Sequence, residues 1–151
     1  MKRMRGSRMT AGAVAGLTLL SGLGIGVATA SPAAAYAGYC DDRYATVTKT
    51  FSGATWTAYL PGYKGDKDCT MGGGAQSSSV GLLQRSLNMC YSEDTGHSLK
   101  VDGIFGTKTG NALAAAQRRE GITGDGIYGK DSRNHLKWEF TRNASTRCAR
   151  I

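Results

Sequence analysis

The chain has 151 residues, with 19 Lys and Arg against 11 Asp and Glu, a formal net charge of +8 and 4 cysteines. That length accommodates one domain or two very small ones and excludes a large multidomain enzyme. The charge is uneven: Lys2, Arg3, Arg5 and Arg8 precede an uncharged stretch from Met9 to Cys40.

A basic start, an apolar Ala/Gly/Leu run and small-x-small motifs predict a secretory signal peptide over residues 1–37. Cleavage sites compete after Ala30, Ala35 and Ala37. The last is preferred and leaves Gly38 to Ile151. An uncleaved anchor is disfavoured by the Gly-rich run, so no stable membrane insertion is expected once the signal is removed. No Leu stands three positions before Cys40, so no lipid anchor is expected there. Losing the four basic residues takes the formal charge from +8 to +4, without any run of like charges. Such a surface favours polyanions, and an exported protein most often meets anionic wall polymers or membrane lipids. Nucleic acid is not an expected partner, because no basic run with interleaved aromatics is present. The expected location is extracellular or cell-wall associated.

In residues 38–70, Tyr44 to Phe51 and Ala54 to Leu60 alternate in part and flank Ser52-Gly53, which predicts a β-hairpin of unknown role. Val47 and Phe51 would share one face, as would Trp56, Ala58 and Leu60 on the second strand. Turn formers from Pro61 to Asp66, then Met71-Gly72-Gly73-Gly74 and Ser77 to Ser79, read as a connecting loop. The glycine run lacks the Lys-Ser/Thr of a phosphate loop. Val80, Leu83, Leu87 and Tyr91 then predict a helix of about three turns, capped by Ser79. A second helix is predicted from Thr107 to Arg119, burying Ala112, Leu113 and Ala116, and a third from Asp131 to about Phe140. Residues 143–151 read as a tail.

Cys40, Cys69, Cys90 and Cys148 all follow the signal, and export predicts two disulfides. Three pairings are open. Cys69 with Cys90 and Cys40 with Cys148 is favoured, since the second bridge would tie the chain ends together. A zinc site is disfavoured, because the closest cysteines are 21 residues apart and no histidine stands at ligand spacing. His97 and His135 are expected to be exposed and without a ligand role.

Two stretches 23 residues apart match: Asp102-Gly103-Ile104-Phe105-Gly106-x-x-Thr109-x-Asn111-x-Leu113 and Asp125-Gly126-Ile127-Tyr128-Gly129-x-x-Ser132-x-Asn134-x-Leu136. Each predicts a tight loop feeding a helix. The glycines permit the turn, the aspartate accepts hydrogen bonds from loop amides, and the isoleucine is expected in the core. Asp102, Gly103, Gly106, Asp125, Gly126 and Gly129 are therefore structural loop residues. Gln84 and Gln117, next in helical phase to Leu83 and Ala116, are expected to be buried partners of loop backbone.

With Val80-x-x-Leu83-Gln84-x-x-Leu87, Val101 to Gly106, Ala112-Leu113, Gln117 and Gly121-Ile122, this repeat closely resembles the peptidoglycan-binding domain of the three-helix type found in bacterial wall hydrolases. The resemblance covers roughly residues 71–142. It implies a mainly α fold: a compact three-helix bundle with two Asp-Gly loops, here preceded by the hairpin segment and stabilised by disulfides. It also implies a non-catalytic wall-binding role. The chain departs from the family pattern at Thr107 and Lys130, where proline is usual, and at Ala116, where phenylalanine is usual. The missing ring would leave a void costing about 3–5 kcal/mol unless Tyr91, Trp138 or the hairpin refilled it.

For a glycan-peptide ligand the candidate groups are Tyr128, Asn111, Lys108 and Arg118, which lie on or beside the loop-to-helix junctions and offer an aromatic face, an amide and cations. No catalytic residue is assigned. Asp102 and Asp125 sit identically in a repeat that needs them as loop caps, no serine lies in a nucleophile elbow, and the cysteines are expected in disulfides. No cofactor and no metal are expected. The function read from the sequence is a secreted, non-catalytic peptidoglycan-binding protein. The alternative is a secreted, disulfide-stabilised protein-binding module that inhibits or regulates a wall hydrolase, and a third reading places an active site in residues 38–70.

Overall fold

The computed structural model describes residues 38–96 and 98–151, so the predicted signal over 1–37 and the reading of His97 lie outside the described residues. In chain order the elements are β1 Gly38–Tyr39, β2 Ala45–Phe51, β3 Ala54–Leu60, β4 Cys69–Thr70, α1 Ser78–Thr95, α2 Thr107–Arg119, α3 Lys130–His135, β5 Trp138–Arg142 and β6 Ser145–Ala149. Four strands form an antiparallel sheet in the order β2-β3-β5-β6, and β1 pairs with β4 in parallel.

The sheet is two hairpins laid side by side. Ser52 and Gly53, both at positive φ, turn β2 into β3, and Asn143 and Ala144, also both positive, turn β5 into β6. Two-residue turns of this hand match the right-handed strand twist. The hairpins join where Thr57 pairs with Thr141 and Ala58 with Phe140. Alternation places Ala58, Leu60, Trp138 and Phe140, all fully buried, on one face.

A mainly α three-helix bundle is therefore not the fold: helix and strand contribute about equally, and residues 143–151 supply an edge strand. The predicted third helix stops at His135. From Trp138 the apolar residues alternate with Glu139 and Thr141, a period of two that pairs with β3 and β6. The favoured disulfide pairing is also wrong, since the bridges are Cys40–Cys69 and Cys90–Cys148. The parallel pairing of β1 with β4 aligns Gly38 with Cys69, which places Cys40 beside its partner, while the β5-β6 hairpin carries Cys148 back to α1.

α1 runs for 18 residues, longer than predicted, and ends at Gly96 in the left-handed conformation. Its N-cap is Ser77, which accepts from the Val80 amide, rather than Ser79. Ser79 is buried and exchanges hydrogen bonds with the Gly62 main chain, tying the helix to the end of the first hairpin. Val80, Leu83, Leu87 and Tyr91 share one buried cluster with Ala112, Leu113 and Ala116 of α2 and with the sheet residues Trp138 and Phe140. The small Ala116 thus lies in the same core as Tyr91 and Trp138, the rings expected to compensate for it.

One ionic network closes the C-terminal end. The Tyr91 hydroxyl donates to Glu120 Oε1 at 2.9 Å and accepts from the Lys137 amide at 2.6 Å. Glu120, whose side chain is only 5% exposed, also takes the Arg150 guanidinium and lies 3.7 Å from Lys137 Nζ. Burial pushes the Glu120 carboxyl up, but the hydrogen bonds from Arg150 and Tyr91 and the Lys137 charge outweigh it and hold the group below the usual carboxylate range. A depressed folded-state pKa stabilises above the unfolded value of about 4.3 and is lost as pH falls through the folded value. Glu120→Gln is expected to cost about 1–3 kcal/mol at pH 7. Thermal denaturation should show the difference from wild type shrinking as pH drops below about 4.

Candidate functional site

Each Asp-Gly loop is held by a buried glutamine on the preceding helix. Gln84 Nε2 faces Asp102 Oδ1 at 3.0 Å, the Ile104 carbonyl at 3.0 Å and Thr109 Oγ1 at 3.2 Å, and its Oε1 accepts from the Asp102 and Gly103 amides. Gln117 repeats this arrangement with Asp125 Oδ1 at 2.8 Å, the Ile127 carbonyl at 3.0 Å, Ser132 Oγ at 2.9 Å and the Gly126 amide at 2.8 Å. Each aspartate also accepts from the amide two residues on, Ile104 and Ile127 respectively. The Gln84 hydrogen bond is the largest influence lowering the Asp102 pKa, followed by the Ile104 amide.

Gly103 and Gly126 have φ of 72° and 70°, and a methyl at either would sit 2.9 Å from a carbonyl oxygen, that of Ser77 or Gly110. Both loops therefore press onto the helix that carries their glutamine, at the equivalent place. Gly106 and Gly129 are the N-caps of α2 and α3 and supply no side-chain cap.

The loops turn their aromatics inward and their isoleucines outward, the reverse of the expectation for isoleucine. Phe105 and Tyr128 are buried, whereas Ile104 and Ile127 are 47% and 53% exposed. The isoleucine carbonyls face the glutamines, and the following aromatic residues are held by the segment read as a connecting loop. The Phe105 amide donates to the Ala75 carbonyl and its carbonyl accepts from Gly74, while Tyr128 and Met71 exchange both main-chain bonds. Residues 71–77 are thus a tie between the two loops.

Tyr128 is removed from the ligand candidates, because it is fully buried with its ring edge-on to Trp138 at 5.9 Å. Its hydroxyl finds no hydrogen-bond partner among the described residues. Tyr128→Phe is expected to leave any ligand affinity unchanged and to raise stability by about 1–3 kcal/mol, the cost of an unsatisfied buried hydroxyl. Paired thermal melts and binding curves check this.

Asn111 and Arg118 come together in a groove of about 1060 Å³ between the two loops. Its sides include Ile104 and Ile127, and glycines 73, 74, 110 and 124 keep it open. Arg118 lies across Gly124, where a methyl would fall 2.6 Å from the guanidinium and from the Ala114 carbonyl oxygen. Lys108 is exposed and lines a smaller neighbouring depression with Asp102 and Thr107. His135 is exposed, with Nδ1 at 2.9 Å from the Asp131 carbonyl. Reading by residue type missed Ile104, Ile127 and the glycines. The 23-residue repeat marked only the isoleucines, and it does not say which repeat residue faces out.

Among the described residues no three His, Cys, Asp or Glu side chains stand together, and no helix is long and apolar enough to cross a membrane. The groove offers one cation, one amide, the loop-bound Asp125 carboxylate, aliphatic side chains and open glycine backbone. This equipment suits non-covalent recognition of a ligand with apolar, amide and anionic parts.

Residues 76–136 match the family model of a peptidoglycan binding domain. The match spans α1, α2 and α3 with both Asp-Gly loops, and leaves both hairpins outside. No curated protein and no solved structure matches the chain.

Proposed function

We propose, from the match over residues 76–136 and the groove it encloses, that this chain is a secreted, non-catalytic protein that binds peptidoglycan non-covalently. The observation that carries the reading is the groove between the loops, where exposed Asn111 and Arg118 lie beside outward-facing Ile104 and Ile127. N-acetyl methyl groups suit the aliphatic walls, and acetamido and carboxylate groups suit Asn111 and Arg118. Lys108 adds a cation at the rim. The non-catalytic assignment is supported by Asp102, whose carboxyl is held below its usual range, opposite to what a proton-donating glycosidase acid requires. Secretion is supported by the basic and apolar pattern of residues 1–37.

The test is sedimentation of the oxidised protein with purified peptidoglycan stripped of teichoic polymers, at low and moderate salt. Wild type should pellet at both. Arg118→Ala should weaken retention about tenfold or more, the loss of one charge-assisted hydrogen bond. Failure of wild type to pellet at either salt overturns the reading and turns attention to a protein partner. Release of soluble muropeptides from the walls would overturn the non-catalytic assignment.

A further inference from the structure

We infer that the N-terminal segment, outside the family match, extends the groove into a longer channel for a glycan strand, with Tyr44 and Tyr39 as added sugar-stacking platforms. The inference rests on the peptidoglycan reading and names the part of the polymer bound. Its basis is where the exposed apolar side chains lie. Of the seven large exposed hydrophobics among the described residues, Tyr39, Tyr44, Val101, Ile104 and Ile127 all line the central groove or two depressions that adjoin it. The first, about 690 Å³, lies between Tyr44 and the first Asp-Gly loop and shares Ile104 with the central groove. The second, about 480 Å³, lies between Tyr39 and the second loop and shares Gly73 and Ile127 with it. Exposed apolar side chains scattered singly need no explanation, but a contiguous set marks an interaction surface.

Both tyrosines are held in place while remaining open. Tyr39 is 81% exposed, yet it belongs to β1, pairs with Thr70 and precedes the Cys40–Cys69 bridge. Tyr44 is 51% exposed, and its ring stands edge-on to Tyr59 at 5.0 Å. A ring fixed by a disulfide-anchored strand or by a second ring loses little freedom on binding.

The two flanking depressions offer no unpaired cation, which favours glycan over stem peptide along them, while Arg118 and Asp125 are the charged groups of the central groove. Arg85, the cation of the Tyr44 depression, is paired with Glu139 at 3.0 Å, and Asp102 is occupied by its loop hydrogen bonds. What remains in these two depressions is aromatic and aliphatic surface with the exposed amide of Gln76, matching the apolar faces and acetamido groups of N-acetylated sugars. A pocket for one drug-sized ligand is about 300–1,000 Å³. Three adjoining depressions of this size call for a polymer.

The experiment measures affinity of the full, oxidised chain for three probes: a disaccharide-peptide fragment, free stem peptide, and long glycan strands freed of stem peptides. Wild type should bind long strands at least tenfold more tightly than the disaccharide fragment. In the Tyr39→Ala/Tyr44→Ala variant that ratio should fall close to one, and Tyr44→Phe should restore part of it by returning a ring. Circular dichroism of each variant establishes that it is folded. A wild-type ratio near one, a ratio unchanged in the double variant, or preference for free stem peptide each overturns the channel while leaving wall binding intact. A wild type that binds no probe and no wall overturns the peptidoglycan reading itself.

Discussion

Replacing Gln117 with alanine is expected to lower stability by about 3–5 kcal/mol, since each buried polar group left unpaired costs about 1–3 kcal/mol. The substitution removes hydrogen bonds to Asp125, the Ile127 carbonyl, Ser132 and the Gly126 amide at once. Some of these groups keep other partners: Asp125 retains the Ile127 amide, and Ser132 still donates to the Ile127 carbonyl at 3.1 Å. That retention keeps the expected loss well below the sum of the separate bonds. Urea titration should show a lower midpoint with an unchanged slope, because the exposed surface on unfolding stays the same. The loop released carries Asp125 and Ile127, which line the central groove, so retention on peptidoglycan should fall together with stability. Gln84→Ala should behave alike, because Gln84 holds Asp102, Gly103, Ile104 and Thr109 in the same manner.

Removing the Cys90–Cys148 bridge is expected to cost about 4 kcal/mol on chain-entropy grounds. It closes a sequence separation of 58 residues, against 29 for Cys40–Cys69. A small domain has only about 5–15 kcal/mol of net stability, so the Cys90→Ser/Cys148→Ser double variant should stand near the edge of folding. The effect has a clear seat. β6 is an edge strand whose main-chain pairing is to β5 alone, and the bridge fastens it to α1. Guanidinium titration of the double variant against wild type checks the magnitude. The Cys40→Ser/Cys69→Ser variant should lose about 3.5 kcal/mol by the same reasoning. That variant also frees β1, so it should weaken binding of long glycan strands through Tyr39.

The wall-binding reading and the loop chemistry are linked through a repeat whose two copies are spaced differently from their glutamines. Gln84 precedes its aspartate by 18 residues, whereas Gln117 precedes its own by 8. A search at fixed interval therefore finds the Asp-Gly loops and leaves the glutamines out of the repeat. Their helical phase, beside Leu83 and Ala116, nevertheless points them inward. The isoleucines show the opposite limit. In a loop between helices no periodicity assigns a face, and aliphatic character alone favours the core. The larger Phe105 and Tyr128 rings take the buried position, and Ile104 and Ile127 become walls of the groove.

Sequence by itself determined what depends on neighbours a few residues away. The Ser52-Gly53 hairpin turn, α2 from Thr107 to Arg119 and the buried stripe of Val80, Leu83, Leu87 and Tyr91 all follow from local conformational preference and apolar period. Only the tertiary structure decided which distant segments meet: Thr57 with Thr141 across 84 residues, Cys90 with Cys148, and Tyr39 and Tyr44 beside the Asp-Gly loops. The physical reason is that pairing is a competition among all apolar faces and unpaired strand edges for burial. The strand β5 shows this directly: its few residues extend a helix by position, but β3 and β6 offer their main-chain groups partners and Trp138 and Phe140 a buried face.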